Sequence, residues 1–172
     1  ARVALAQGKL RTEDLVGAAR EIDEGLSRSP SSVELMVLQA EYLSVYGDAT
    51  RARATVRNLH SILGRGFSGF DLHVRVGRLQ AHLGEIAHAK TNLRRALEIG
   101  SAKAEEVVSV KSILAEMEFR DGNMRAAGIL YDELDETASA LSVVGRARIE
   151  LAAGEGDAAV KRLKAWLARN PE

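Results

Sequence analysis

The sequence predicts an all-α chain of about five antiparallel helix pairs, and three observations predict it. Only two Pro and 4% aromatic residues occur in 172 residues, against abundant Ala, Leu, Arg and Glu, which favour helix over most of the length. Four glycines (Gly47, Gly84, Gly122 and Gly154) each close an apolar-periodic segment, and each is followed by a polar or acidic residue (Asp48, Glu85, Asn123, Glu155). These glycines lie 37, 38 and 32 residues apart, and residues of fixed size stand at fixed distances from each.

Five residues after each Gly stands Ala (Ala52, Ala89, Ala127, Ala159), and seven before it a small residue (Ala40, Gly77, Ala115, Ala147). Nine after come Val56, Leu93, Tyr131 and Leu163; twelve after come Leu59, Ala96, Leu134 and Trp166; seventeen after come the breakers Gly64, Ser101, Ser139 and Pro171. A degenerate first unit fits the same ruler when Glu13 takes the place of Gly, with Ala6, Ala18, Ile22, Gly25 and Pro30 at the corresponding offsets. Ala supplies 27 of 172 residues. Ala at one offset in five units of five therefore arises by chance about once in ten thousand trials before allowing for choice of register. Two antiparallel helices joined by a tight turn approach closely only where both carry small side chains, and Gly permits the left-handed turn between them. Each unit thus reads as a helical hairpin.

Helices are expected over 1–9 and 12–28, then 31–46 and 49–63, 70–82 and 86–99, 102–120 and 124–136, and 140–153 and 156–169. Ser31 or Ser32 ahead of Glu34, Asp71, and Ser101 ahead of Glu105 offer acceptors for the unpaired N–H groups at helix starts. Repeat arrays need polar caps at both ends. Ala1 in place of Met, a short first helix and a close at Asn170-Pro171-Glu172 lead to the expectation that further repeats flank this segment.

The offsets, with Gly84-Glu85 through Ala89, Leu93 and Ala96 and Gly154 through Ala159, Leu163, Trp166 and Pro171 as the best matches, resemble the tetratricopeptide repeat family. The resemblance covers essentially the whole chain, with units over 1–30, 31–64, 65–101, 102–139 and 140–172, and implies a right-handed α-α superhelix. The repeats are divergent. Where the family carries an early Trp or Leu this chain has Met36, His73, Lys111 and Val143, and the family's central Tyr is replaced by Leu43, Gln80, Glu118 and Glu150.

Chemistry is conspicuous mainly by what does not assemble. Zero Cys excludes a disulfide framework, Cys-ligated metal and a thiol nucleophile. The four His (His60, His73, His82, His88) form no H-x-x-x-H pair; Glu85 and His88 lack the second pair a carboxylate-bridged metal site needs, and these histidines are expected at the surface or in the groove. Gly64-Arg65-Gly66-Phe67-Ser68-Gly69 matches G-x-G-x-x-G, but follows a helical segment and has Ala89 where a ribose-binding acid is required, so it reads as an inter-repeat linker. No catalytic constellation and no cofactor site is expected, and no small-molecule substrate. Apolar runs fall well short of the roughly 20 residues of a membrane span, so direct membrane insertion is not expected. Tyr131 and Trp166 sit at repeat core positions, which assigns them to packing.

Net charge is zero, but by blocks residues 1–50 carry −3, 51–100 carry +6, 101–150 carry −4 and 151–172 carry +1. The basic centre (Arg51, Arg53, Arg57, Arg65, Arg75, Arg78, Lys90, Arg94, Arg95) suits an acidic partner or solvated helix faces, and supports a second reading as a regulatory or nucleic-acid-associated domain. The family resemblance implies that first helices line a concave face. This places Val37, Glu41, Val74, Arg78, Ser112, Glu116, Val144 and Arg148 on a partner-binding surface. The family's Lys/Asn/Arg clamp for a C-terminal carboxylate is absent from those positions. The leading expectation is a non-enzymatic scaffold for a partner protein or peptide, with self-association as a further use of an unfilled groove. Its Ala- and Arg-rich style is similar to arrays in bacterial envelope assembly and exopolysaccharide export, which leaves the compartment open between periplasm and cytoplasm.

Overall fold

The computed structural model describes residues 1–63, 66, 69–101, 103–135 and 140–171. Among these there are ten helices and no strand: α1 (Arg2–Arg11), α2 (Leu15–Arg28), α3 (Val33–Tyr46), α4 (Ala49–Leu63), α5 (Phe70–His82), α6 (Ile86–Ile99), α7 (Ala104–Arg120), α8 (Met124–Asp135), α9 (Ala140–Ala152) and α10 (Gly156–Arg169). The chain divides into two compact units, Ala1–Ile99 and Gly100–Glu172. In the first, α1 pairs with α2, α3 with α4 and α5 with α6, and the first helices of successive hairpins lie side by side (α1 on α3, α3 on α5). The second unit repeats this with α7–α8 and α9–α10, α7 lying against α9.

The turns explain the recurring Gly. Gly84, Gly122 and Gly154 have φ of +81°, +79° and +83°, the left-handed region where a Cβ is unfavourable. At Gly84 the N–H of Glu85 donates to the Gln80 carbonyl at 2.7 Å and that of Gly84 to Ala81 at 3.1 Å. Matching pairs close the other two turns, Asn123 to Glu118 with Gly122 to Phe119, and Glu155 to Glu150 with Gly154 to Leu151. Two crossed bonds of this kind satisfy the carbonyls a helix end leaves open. Glu13 adopts the same conformation, φ 60°, with Asp14 donating to Lys9, so the degenerate unit turns without glycine.

Gly47 departs from expectation. Its φ of −131° is not left-handed, because Asp48 closes this turn instead, its Oδ1 accepting from the N–H groups of Thr50 at 2.7 Å and Arg51 at 3.3 Å. Glycine serves there for space: a Cβ would lie 3.0 Å from Leu43 Cδ2 and 3.2 Å from its Cα. Helix starts also differ from the sequence reading. Ser32 makes no side-chain cap and Asp71 lies inside α5, whereas Asp14 caps α2 through Gly17, which is why that helix begins at Leu15. Ser101 accepts from the Lys103 N–H at 3.1 Å and donates to Glu106 at 2.6 Å.

Packing follows the offsets. Ala18, Ala52, Ala89, Ala127 and Ala159 are all buried, as are Ala6, Ala40, Gly77, Ala115 and Ala147 opposite them. Gly77 faces Leu93 so closely that a Cβ would stand 3.0 Å from Leu93 Cγ. Larger residues one turn on fill the grooves: Ile22 with Leu38, Val56 and Leu59 with Val76 and Leu79, and Tyr131 with Leu134. Of the proposed linker motif, Gly64, Arg65, Phe67 and Ser68 lie outside the described residues.

Candidate functional site

The first-helix faces carry charged side chains that reach from one hairpin to the next. In the first unit Arg75 of α5 forks onto Glu41 of α3, Nε to Oε1 at 2.9 Å and a terminal nitrogen to Oε2 at 2.7 Å. In the second, Arg148 of α9 reaches Glu116 of α7 at 2.6 Å, with a longer contact of 3.4 Å. Arg148 also covers the Phe119 ring, 4.4 Å from its centroid, while Arg120 bonds the other side of the carboxylate at 2.8 Å. Paired guanidinium–carboxylate bonds fix both orientation and register. The Arg148 hydrogen bond holds the Glu116 carboxyl below its ordinary value, with Arg120 adding to it. Tyr131, which donates to Glu116 at 3.4 Å, is pushed up chiefly by burial.

The structure treats the eight sequence-selected residues unequally. Glu41, Glu116 and Arg148 form the cross-hairpin pairs, Arg78 is exposed on α5, and Ser112 is half-buried with its hydroxyl spent on the Val108 carbonyl. Val144 is exposed, beside exposed Leu141. Val37 and Val74 are buried, Val37 completely, because α3 lies between α1 and α5 and turns these valines into the core. They support the face and do not line it, which corrects the apolar strip expected from sequence. Arg75, the partner of Glu41, falls outside that set, because it stands nine residues before Gly84, one helical turn ahead of the offset that Arg78 holds.

The basic centre is largely occupied within the fold. Arg53 donates to the Leu83 carbonyl at 3.1 Å, Arg75 to Glu41 and Arg95 to Glu98 at 2.7 Å, and Lys90 is buried. Arg51 and Arg57 stand exposed on α4, and Arg65 lies outside the described residues. The histidines hold a second surprise. His73 is buried instead of groove-facing, in a polar network with Asn92 and Gln80. Among the described residues no group of three or more His, Cys, Asp or Glu is placed to hold a metal ion. No described helix is long and apolar enough to cross a membrane.

Solved structures share this arrangement of helices. The MamA protein aligns over 97% of this chain and 88% of its own, with a TM-score of 0.78 and 16% identity. A tetratricopeptide repeat protein from Parabacteroides merdae ATCC 43184 aligns over 99% of this chain and 66% of its own, with a TM-score of 0.78 at 15% identity. YrrB, described as a TPR protein with an unusual peptide-binding site, aligns over 99% and 86%, with a TM-score of 0.77 at 16% identity. The chain has the tetratricopeptide-repeat fold. No protein-family model matches the sequence, and no curated protein matches it. That agrees with repeats whose core tyrosine positions hold Gln80, Glu118 and Glu150, so this tetratricopeptide-repeat fold keeps the small-residue offsets and the turns while its other positions have drifted.

Proposed function

We propose that the chain is an interaction scaffold, not an enzyme, and that it holds a partner protein or peptide against the first helices of its hairpins. The observation that carries this reading is the inter-hairpin charge pair found in each unit. Glu41–Arg75 in the first unit and Glu116–Arg148 in the second hold charged groups in fixed positions, and in the second α9 also presents the exposed Leu141 and Val144. Preorganised polar groups beside apolar ones suit a helix or an extended peptide, whose affinity comes from the apolar contact and whose register comes from the charges. The peptide-binding description of YrrB supports the same reading through the fold. The contact residues proposed are Glu41 and Arg78 in the first unit and Ser112, Glu116, Val144 and Arg148 in the second. The finer setting proposed, on Ala- and Arg-rich style alone, is a bacterial envelope assembly or exopolysaccharide export system.

The test is selection of binding peptides from a displayed library, followed by charge reversal. Arg78→Glu and Arg148→Glu should each weaken the selected peptides about tenfold or more, whereas Arg57→Glu on a second helix should change affinity less than about threefold. Equal losses from all three variants would disprove the first-helix face. Affinity for a duplex oligonucleotide that falls steeply with salt, with no peptide selected, would favour the nucleic-acid reading instead.

A further inference from the structure

A furrow recurs in this fold where the second helix of one hairpin meets the next hairpin. In the earlier occurrence, about 340 Å³, the residues eleven before the turn and seven, eight and eleven after it are Met36, Ala54, Thr55 and Asn58, with Leu26 from α2. In the later one, about 530 Å³ between α4, α5 and α6, the same offsets carry His73, Thr91, Asn92 and Arg95, with His60 from α4. Uncharged residues in one copy are replaced by imidazoles and a guanidinium in the other. Arg94 also lines the later furrow, and Glu98 is the acid among its lining residues, paired with Arg95.

The floor of this furrow is chemically unfinished. His73 is 5% exposed, and its Nδ1 lies 2.9 Å from Asn92 Oδ1. Asn92 Nδ2 donates to Gln80 Oε1 at 2.7 Å, so Asn92 turns its carbonyl to His73 and Nδ1 must carry the proton. Nε2 is left as a buried nitrogen without a hydrogen-bond partner. Buried polar networks are stabilising when every member is satisfied and unfavourable when one is not. The preceding hairpin fills the matching first-helix positions with Met36 and Leu43, both buried, so the fold does not require polar residues there.

We propose that this furrow binds a small anionic group, a carboxylate or a phosphate, through His73, Arg94 and Arg95. The anion enters with one proton from solvent. Nε2 takes that proton and donates to an anionic oxygen, while Nδ1 continues to donate to Asn92, so both ring nitrogens are satisfied. The charged and titratable groups that share the furrow with His73 are His60 from α4 and Arg94, Arg95 and Glu98 from α6. Thr91 adds a hydroxyl at the rim. The site is independent of the first-helix face and does not rest on the partner reading.

The experiment titrates the whole chain separately with inorganic phosphate and with succinate, following the imidazole nitrogen signals of His73 and the heat of binding in two buffers of different ionisation enthalpy. Saturable binding by either anion in the low millimolar range is expected, with Nε2 changing from an unprotonated to a protonated signal and a net uptake of up to about one proton. Saturation by one anion and not the other supports the site and tells a phosphate from a carboxylate ligand. Arg95→Gln, at an exposed position that leaves folding intact, should weaken binding about tenfold through loss of a charge-assisted hydrogen bond. His73→Leu should abolish it, although the variant leaves Asn92 Oδ1 without its donor and is not expected to gain stability. No saturation by either anion at about 20 mM, or equal affinity in Arg95→Gln, would overturn the proposal.

Discussion

Arg148 bonds Glu116 at 2.6 Å while its guanidinium lies 4.4 Å above the Phe119 ring, so one side chain of α9 grips α7 at two points three residues apart. The two partners sit on one surface of α7 because residues three apart on a helix are neighbours. Arg148 and Glu116 stand 32 residues apart, one repeat length. In the first unit Glu41 is paired with Arg75, 34 residues on and about one helical turn before the matching offset, which Arg78 holds. Within each unit neighbouring hairpins are therefore registered by charge along the first helices and by apolar packing between the second helix and the next hairpin.

Glu116 gives a pH prediction. Its carboxyl is held low by the Arg148 hydrogen bond, so the folded value lies below the unfolded one. A depressed carboxylate contributes stability that is present above the unfolded value, about 4.3, and is lost as pH falls through the folded value. Glu116→Gln should therefore be less stable than the parent at pH 7 and should converge with it as pH falls below the unfolded value and through the folded one. The side chains are 28% and 42% exposed, so solvent screening limits the difference at pH 7 to under about 1 kcal/mol. Urea unfolding across that range checks it, and parallel curves at all pH values would contradict the pair.

Glu13 tests the turn. A non-glycine residue at φ 60° carries about 1 kcal/mol of strain, and the equivalent turns at Gly84, Gly122 and Gly154 avoid it. Glu13→Gly should raise stability by up to about 1 kcal/mol, less the extra entropy that glycine gives the unfolded chain. Gly84→Ala should lower it by about 1 kcal/mol, since nothing lies within 4 Å of the added Cβ and strain alone acts. Thermal melts of both variants decide the matter.

The hairpins and turns were legible because their causes are local or periodic. Ala89 and Ala127 announce close helix contacts wherever the partner helix comes from, and Gly84 announces a left-handed turn. The Gly47 turn was misread because an acidic residue next in sequence can close a turn by capping, and Asp48 does. The first-helix face was half legible: the offsets named Glu41, Glu116 and Arg148, but whether a valine at the same offsets faces solvent depends on neighbouring helices, and those helices bury Val37 and Val74. Nothing in one dimension joins His73, Gln80 and Asn92, whose network closes only when α5 packs on α6.

Ala89 sets a packing prediction. It is buried where α6 meets α5, and its carbonyl lies 3.3 Å from where a Gly77 Cβ would stand. Ala89→Leu should destabilise by about 1–3 kcal/mol through overpacking, and Ala127→Leu on α8 by a similar amount. Ala87→Leu, at an exposed position two residues away, should stay within about 0.5 kcal/mol of the parent. Similar midpoints for Ala87→Leu and Ala89→Leu in urea would mean that the small-residue offset does not govern helix approach.

Gly145 and Gly8 separate propensity from packing. Both lie within helices, where Ala is favoured over Gly by about 1 kcal/mol. Gly8 is exposed, with nothing within 4 Å of an added Cβ, so Gly8→Ala should stabilise by about 0.5–1 kcal/mol. At Gly145 the added Cβ would overlap the Tyr131 ring, a rigid aromatic plane buried between α8 and α9. The steric cost, about 1–3 kcal/mol, outweighs the propensity gain, so Gly145→Ala should be neutral to about 2 kcal/mol destabilising. Tyr131→Leu removes the ring and is itself destabilising, but in that background Gly145→Ala should recover its propensity and become neutral or favourable. A double-mutant cycle by urea unfolding therefore expects a coupling of about 1–3 kcal/mol. Additive effects would show that Gly145 owes its place to something other than Tyr131.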